Sequence, residues 1–192
     1  NLIVVTKTFG IDKVRPLIDH GHNHFGENKV QEALDKWSEV KDINKSIKLH
    51  LVGKLQTNKV KFCLPLFDYI HGLDSIKLAE KIANEQIKKK FKPKIFIQIN
   101  IGNENQKSGL GQKEALEFYN KVKNNFDLDI IGLMCIPPNV EDTSHFFVKM
   151  KSLSDELNLK DLSMGMSDDY IKALKNSSTY IRVGSKIMGK RF

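Results

Sequence analysis

The stretch from Lys94 to Ile101, Lys-Ile-Phe-Ile-Gln-Ile-Asn-Ile, decides the fold of this chain. Isoleucine occupies every second position, and side chains of a β-strand alternate between two faces, so the pattern predicts a strand over 94–101. Further along the chain, Ala115, Tyr119 and Val122 recur at helical spacing and predict a helix over 112–126. A strand followed by a helix is the basic unit of a parallel sheet.

The same unit repeats along the chain in both directions. The other predicted strands cover 2–7, 24–28, 48–53, 68–74, 129–136, 161–166 and 180–185, and the other predicted helices cover 12–20, 29–40, 57–66, 75–91, 142–157 and 168–175. Strand starts lie 19 to 35 residues apart, which leaves room for a crossover helix between parallel neighbours. Eight such units favour one α/β domain over 1–192, a (β/α)8 TIM-type barrel. An open doubly wound sheet is the alternative, and no glycine-rich fingerprint follows the first strand to support it.

Composition bounds the class of protein. The 192 residues are 40% hydrophobic and 28% charged, which is ordinary for a soluble domain, and no apolar run is long enough for a membrane span. The net charge of +8 comes almost entirely from scattered lysines, with arginine only at Arg15, Arg182 and Arg191. Arginine is the usual residue for reading nucleic acid, so we expect no nucleic acid partner. Cys63 and Cys135 lie too far apart for a CxxC pair, which indicates free thiols in a reducing cytoplasm.

The ends of the predicted strands carry the candidate chemistry, because the active site of such a barrel lies at the carboxyl ends of its strands. Lys7 follows the apolar run 2–5. Loss of hydration there favours the neutral amine that forms Schiff bases, although a lysine reaching solvent at the rim is the alternative. Asn28 ends the second strand, where it either donates to a ligand held over the barrel or caps the next helix.

The seventh and eighth strands end in serine and glycine. Ser163 and Ser167 precede Asp168 and Asp169 and either form an anion site with backbone N–H groups or cap a helix, with Ser167 as the N-cap. If an anion binds there, both acids must point away from it. The eighth strand carries Arg182, which needs an acceptor inside a barrel, followed by Gly184 and Ser185 at the usual place for a phosphate. These strand ends predict a pocket for an aldehyde that carries a phosphate.

Eight segments spread along the whole chain match one known family in order. They include Phe-Gly-Glu-Asn at 25–28, and the full set covers 4–8, 25–32, 52–59, 98–101, 107–109, 132–134, 162–169 and 182–185. On these motifs the chain resembles the pyridoxal phosphate homeostasis proteins, whose barrel is similar to the N-terminal domain of alanine racemase. The family usually has an extra helix before the first strand. This chain opens at Asn1 in mid-strand, so we expect an N-terminal element to be missing.

The resemblance implies a cofactor and a role for each site residue. The cofactor is pyridoxal 5′-phosphate (PLP), held as a Schiff base on Lys7, with Asn28 near its ring and Arg182 beside the pyridine nitrogen. A cation at that nitrogen weakens the ring as an electron sink, which agrees with a carrier of PLP that buffers it or delivers it to apo-enzymes. Met134 packs near the ring or in the core. The resemblance also implies a phosphate cradle formed by Ser163, Met166, Ser167, Gly184 and Ser185.

Two enzymatic alternatives and a metal site remain to be weighed. A PLP-dependent amino-acid racemase needs an acid–base group opposite Lys7, for which Tyr180 is the candidate, and the chain lacks the racemase's second domain, so we expect a monomer. A barrel enzyme acting on a phosphorylated sugar needs a catalytic carboxylate, for which Glu27 and Asp74 are candidates. The histidines at 20, 22 and 24 precede the second strand at the opposite end of the barrel, and we expect no metal there.

Overall fold

The structure, a computed structural model, describes residues 1–189. Residues 190–192, which include Arg191 and the end of the predicted domain, lie outside the described residues. The strands are β1 (Leu2–Val5), β2 (His24–Glu27), β3 (Lys48–Leu51), β4 (Tyr69–Leu73), β5 (Lys94–Ile99), β6 (Asp129–Cys135), β7 (Asp161–Ser163) and β8 (Ile181–Val183). The α-helices are α1 (Ile11–Asp19), α2 (Val30–Ile43), α3 (Val60–Cys63), α4 (Ile76–Lys89), α5 (Ala115–Asn125), α6 (Ser144–Glu156), α7 (Tyr170–Lys175) and α8 (Ser185–Met188).

All eight strands run parallel in one sheet that nearly closes on itself. The hydrogen-bonded order is β7-β6-β5-β4-β3-β2-β1-β8. Between the two end strands, a single bridge pairs Ser163 with Tyr180, and the backbone N–H of Arg182 donates to the carbonyl of Gly165 at 2.9 Å. The predicted eight-stranded β/α barrel is therefore confirmed, and the open doubly wound sheet is excluded.

Alternation along the strands divides the apolar side chains between two layers. The larger layer lies between the barrel and the helices, where the ring of Phe25 on β2 packs 4.9 Å from that of Trp37 on α2. The smaller layer fills the barrel interior and consists of Ile3, Tyr69, Phe96, Met134 and Tyr180. Burial on both faces explains why β1 and the centre of β5, Ile95 to Ile97, read as continuous apolar runs.

Several strands end earlier than the sequence predicts. β1 ends at Val5 and β2 at Glu27, so Lys7 and Asn28 lie in the turns just beyond them. β7 ends at Ser163, which leaves 164–169 as a loop before α7. The short strands place the candidate residues on loops above the rim, where side chains gain freedom to reach a ligand.

The helix ends show one side-chain cap and correct two predicted caps. Ser75 caps α4, because its hydroxyl accepts the N–H of Leu78. The capping alternative for Ser167 is wrong, since α7 begins at Tyr170, and the one for Asn28 is also wrong, since Lys29 precedes α2. The helix predicted over 57–66 is a 3-10 turn followed by the short α3, and α8 was not predicted.

Within residues 1–189 the longest helices, α2 and α4, have 14 residues each. No helix in this range combines the length and the apolar character that crossing a bilayer requires.

Candidate functional site

A cavity of about 580 Å³ opens at the carboxyl ends of the strands. Its volume is in the range of ligand sites for small molecules. Seven of the nine predicted cofactor-binding residues line it: Lys7, Asn28, Met166, Ser167, Arg182, Gly184 and Ser185. The remaining lining residues are Val5, Val52, Ile136, Asp168 and Gly189. The barrel therefore brings together Lys7 and Ser185, which are 178 positions apart in the chain.

Helix α2 holds the turn that carries Lys7 from both sides. The ammonium group of Lys36 donates to the carbonyl of Thr6 at 2.8 Å. On the other side of Lys7, the backbone N–H of Thr8 donates to the carboxylate of Glu32. Thr8 has a φ of 70°, a left-handed conformation that is strained for a β-branched residue. Tertiary contacts of this kind fix the backbone of Lys7 at the mouth of the cavity.

A buried carboxylate lies behind this turn. Glu27 is 0% exposed, and its Oε1 accepts hydrogen bonds from the hydroxyl of Thr6 at 2.7 Å, from Lys36 at 2.8 Å and from the indole of Trp37 at 2.9 Å. These partners lie on the outer face of the barrel, towards α2. Glu27 is therefore not the catalytic carboxylate that a phosphorylated-sugar enzyme needs, because it does not line the cavity.

Asn28 reaches the cavity because the loops after β2 and β3 touch backbone to backbone. A Cβ atom at Gly53 would lie 2.3 Å from the carbonyl oxygen of Asn28, a distance that no real contact allows. The N–H of Val52 also donates to the carbonyl of Glu27 at 2.9 Å. Glycine at 53 is thus a steric requirement of this approach and not a matter of backbone freedom.

Arg182 forms the buried part of the wall. It is 4% exposed, and it donates to the Ser163 hydroxyl at 2.6 Å and to the Cys135 carbonyl at 2.8 Å. Burial lowers the pKa of its guanidinium. None of the ion pairs among residues 1–189 involves Arg182. A buried cation held only by neutral acceptors favours a ligand with a lone pair or a negative charge at this position.

The loops after β7 and β8 meet each other at the cavity. The N–H of Gly184 donates to the Ser167 hydroxyl at 3.3 Å, which joins the two loops. Gly165 takes a φ of +92°, and a Cβ there would lie 2.5 Å from the Cβ of Ala173. Ser185 follows at the exposed start of α8. Hydroxyls and backbone N–H groups at this place can accommodate a phosphate.

The structure departs from the predicted site at three residues, of which only Ser163 belongs to the predicted phosphate cradle. Ser163 is 0% exposed and Met134 is 1% exposed, and neither lines the cavity. Met134 packs in the barrel interior with Phe96, which is the core alternative stated above. Asp168 was expected to point away from the anion site but lines the cavity, because α7 begins only at Tyr170 and leaves Asp168 in the loop.

Sequence reasoning missed a set of histidines inside the barrel. His50 on β3 and His71 on β4 are both 0% exposed. His50 bonds through Nε2 to Nδ1 of His24 at 2.8 Å and through Nδ1 to Nε2 of His71 at 3.0 Å. His71 Nδ1 lies 2.8 Å from the Ser163 hydroxyl. Alternation along β3 and β4 is the signal that places both rings inside. No cluster of metal ligands occurs within 1–189.

The fold and the cavity together define a class of protein. It comprises single β/α barrels that bind a small anionic ligand at the mouth, with a lysine on the first strand end and a buried arginine on the last strand. Chemistry in this class rests on the mouth residues and not on the barrel itself.

Comparison with known proteins places the chain within this class. Residues 1–191 match the family model of the alanine racemase N-terminal domain. The pyridoxal phosphate homeostasis protein of Aquifex aeolicus is 34% identical over 99% of this chain and 86% of its own length. The chain therefore belongs to the family of pyridoxal phosphate homeostasis proteins.

Solved structures agree with this assignment. PipY of Synechococcus elongatus, in a structure with PLP bound, is 32% identical and superimposes with a TM-score of 0.90 over 98% of this chain and 92% of its own. Alanine racemase of Clostridium difficile is 13% identical, with a TM-score of 0.77 over 100% of this chain and 52% of its own. The racemase comparison shows the shared fold alone.

Proposed function

We propose that this protein binds PLP in the mouth cavity, as a Schiff base on Lys7, and serves PLP homeostasis by buffering the cofactor or delivering it to apo-enzymes. The observation that carries the proposal is the presence of Lys7 and the buried Arg182 in one cavity, beside the serine- and glycine-rich loops after β7 and β8. PipY, with 32% identity to this chain, has a structure with PLP bound. The family name of the curated relatives supports the homeostatic role.

The donor set fits each part of PLP. The ammonium group of Lys7 must lose its proton before the amine adds to the aldehyde carbon, and water leaves when the C=N bond forms. Arg182 has five N–H donors and no acceptor, so it favours an unprotonated pyridine nitrogen. Ser167, Gly184 and Ser185 offer two hydroxyls and backbone N–H groups to the phosphate. Asn28 and Val52 also line the cavity, from the loops after β2 and β3.

The same geometry gives little support to a racemase. Proton transfer on both faces of a substrate requires an acid–base group opposite the lysine. Tyr180, the candidate for that role, is 6% exposed and packs inside the barrel with Tyr69 and Phe96 instead of lining the cavity. Burial raises the pKa of its hydroxyl, which disfavours the phenolate that a base requires. We therefore favour binding over turnover.

The proposed function also includes a compartment, an oligomeric state and a class of partners. Buried Cys63 and Cys135 are both free thiols, which suits a cytoplasmic protein. The cavity as described is lined by residues of one chain, and we propose that the protein acts as a monomer. Apo-enzymes that use PLP are the partners that this role implies. Transfer to such an enzyme in the presence of a scavenger of free PLP tests delivery against simple buffering.

Absorption spectroscopy and chemical trapping test the binding site. Purified protein titrated with PLP should develop the visible absorption band of an imine, and borohydride should fix the cofactor on a peptide that contains Lys7. Lys7→Ala should lose both signals. Lys54→Ala is the matched control, because Lys54 is an exposed lysine in the loop after β3 that does not line the cavity. Equal bands in the wild type and Lys7→Ala would overturn the proposal.

A further inference from the structure

A chain of hydrogen bonds crosses the barrel from its amino-terminal end to the cavity. It begins at His24 on β2 and runs to His50 over 2.8 Å, to His71 over 3.0 Å and to the Ser163 hydroxyl over 2.8 Å. It ends at the guanidinium of Arg182, 2.6 Å from the same hydroxyl. Arg182 lines the cavity, whereas the ring of His24 is half-buried at the opposite end.

The chain of hydrogen bonds from His24 to Arg182 is called the relay below. Its direction follows from Arg182, which can only donate, and from the Ser163 proton, which needs an acceptor. Arginine is only a donor, so the Ser163 oxygen accepts from Arg182. The Ser163 hydroxyl then donates to Nδ1 of His71, whose Nε2–H donates to Nδ1 of His50, whose Nε2–H donates to Nδ1 of His24. Every ring is neutral in this arrangement. In the opposite direction Ser163 accepts from both sides, and its own proton has no acceptor among the hydrogen bonds of the described chain.

The surroundings keep the inner rings neutral and fixed. Burial, and then the nearby charges of its neighbours, lowers the pKa of His50 and of His71 well below the usual range. The ring of His50 stacks on Tyr69 with centroids 4.1 Å apart, and that of His71 stacks on Phe96 at 4.4 Å. Neither ring can turn without breaking both its stacking and its hydrogen bonds.

His24 is the end of the relay that a proton can reach from solvent. Partial burial lowers its pKa, followed by His22 and the amino group of Asn1, while Asp68 raises it and Lys48 lowers it further. The carbonyl of His24 also bonds the ring of His22 at 2.8 Å. The rings of Tyr69 and His50 face it from the barrel interior.

We propose that His24, His50, His71 and Ser163 are positioning residues for Arg182, and that they couple the affinity of the cavity for its ligand to the proton state of His24. Protonation of His24 places a hydrogen on Nδ1, which can then no longer accept from His50. The relay must reverse, Ser163 receives donors from both sides, and its hold on Arg182 weakens. The identity of the ligand as PLP rests on the proposed function, whereas the relay itself does not.

Nitrogen-15 NMR of the histidine side chains tests the relay without any ligand. At pH 7.5 the relay requires His50 and His71 to be Nε2–H tautomers, each with an unprotonated Nδ1. Exposed His145 serves as the internal reference for a ring in water. An Nδ1–H tautomer or a charged ring at either buried position would overturn the direction and therefore the coupling.

Titration of PLP against matched variants tests the coupling. His71→Phe keeps a ring against Phe96 but removes the acceptor of the Ser163 proton, so Kd should rise roughly tenfold, as expected for one hydrogen bond in a charged network. His71→Asn returns an acceptor near Ser163 and should recover part of the affinity. His145→Gln, in an exposed histidine of α6, is the control and should bind like the wild type.

The pH profile separates positioning from simple packing. The wild-type Kd should rise as pH falls from 8 to 5.5, by at most about tenfold per pH unit for one linked proton. His24→Asn keeps an acceptor but cannot be protonated, so its Kd ratio between the two pH values should be smaller than that of the wild type. The titration of PLP itself cancels in this comparison. If the wild type binds PLP and its Kd ratio between the two pH values equals that of His24→Asn, the coupling is overturned. A wild type that binds no PLP at all would overturn the proposed function and leave the NMR result to decide the relay.

Discussion

Acidification from pH 6.5 to pH 5 should destabilise this protein through two buried histidines. His50 and His71 are 0% exposed, and burial, the largest cause, lowers the pKa of each ring well below its usual range. In the unfolded chain each ring regains a pKa of about 6.5. The unfolded state therefore binds more protons than the folded state in this interval. Stability is full above about pH 6.5 and is lost progressively as pH falls below it.

The size of the loss follows from proton linkage. A histidine that stays neutral when folded costs about 1.6 kcal/mol between pH 6.5 and pH 5, so the pair costs about 3 kcal/mol, a large share of the about 5–15 kcal/mol that stabilises a typical domain. Carboxylates contribute little in this interval. Hydrogen bonds from Ser144 hold the pKa of Asp142 at about 2, for example, so its contribution is lost only when pH falls below about 4, the unfolded value.

Urea unfolding followed by circular dichroism at several pH values measures this loss. His71→Phe removes one of the two rings, so the free energy of unfolding should fall by about half as much over the same interval, whatever the stability of the variant at pH 8. His145→Gln changes an exposed ring and should keep the wild-type dependence. A flat wild-type profile, or an equal drop in His71→Phe, would refute the reasoning.

Three further predictions concern the cavity and the contacts that support it. Lys36→Met leaves the buried carboxylate of Glu27 without its cation, so we expect a loss of about 3–5 kcal/mol in urea unfolding, partly restored by adding Glu27→Gln. Gly165→Ala forces a Cβ against Ala173 at a φ of +92°, and calorimetry should show a loss of more than about 1 kcal/mol together with weaker PLP binding. Ser167→Ala removes a hydroxyl that joins the two anion loops, so the Kd for PLP should rise roughly tenfold while Tm stays within a few degrees. An unchanged free energy of unfolding in Lys36→Met or Gly165→Ala, or an unchanged Kd in Ser167→Ala, contradicts the corresponding contact.

The architecture was predictable because local pattern and tertiary structure agree. The isoleucine alternation of 94–101 identifies β5, and the repeated strand–helix unit leaves few topologies other than a barrel. Boundaries were predicted less well. β1 ends at Val5 and β2 at Glu27, where their pairing with the neighbouring strand stops. Residue type alone does not show where that pairing stops. The four-residue α8 is too short to produce a helical period.

The candidate site was predictable as a group but not in depth. A parallel barrel gathers its strand ends, which is why Lys7, Asn28 and Arg182 share one cavity. Sequence could not show that Ser163 lies beneath the wall and bonds Arg182, because alternation gives the face of a residue but not its level in the barrel. The pairing of His50 with His71 escaped for the same reason, since it depends on register between strands.

The closure of the barrel has a mechanical consequence for ligand binding. Between β7 and β8 the sheet closes through the bridge of Ser163 with Tyr180 and through nearby backbone hydrogen bonds, such as the one from the N–H of Arg182 to the carbonyl of Gly165. The two loops that continue these strands also form the proposed anion site and meet through Ser167 and Gly184. A phosphate that contacts both loops links β7 to β8 where the barrel closes. If the proposed anion site holds the phosphate, part of the free energy of binding resists opening of the barrel between β7 and β8, and we expect slower amide hydrogen exchange there in the loaded protein.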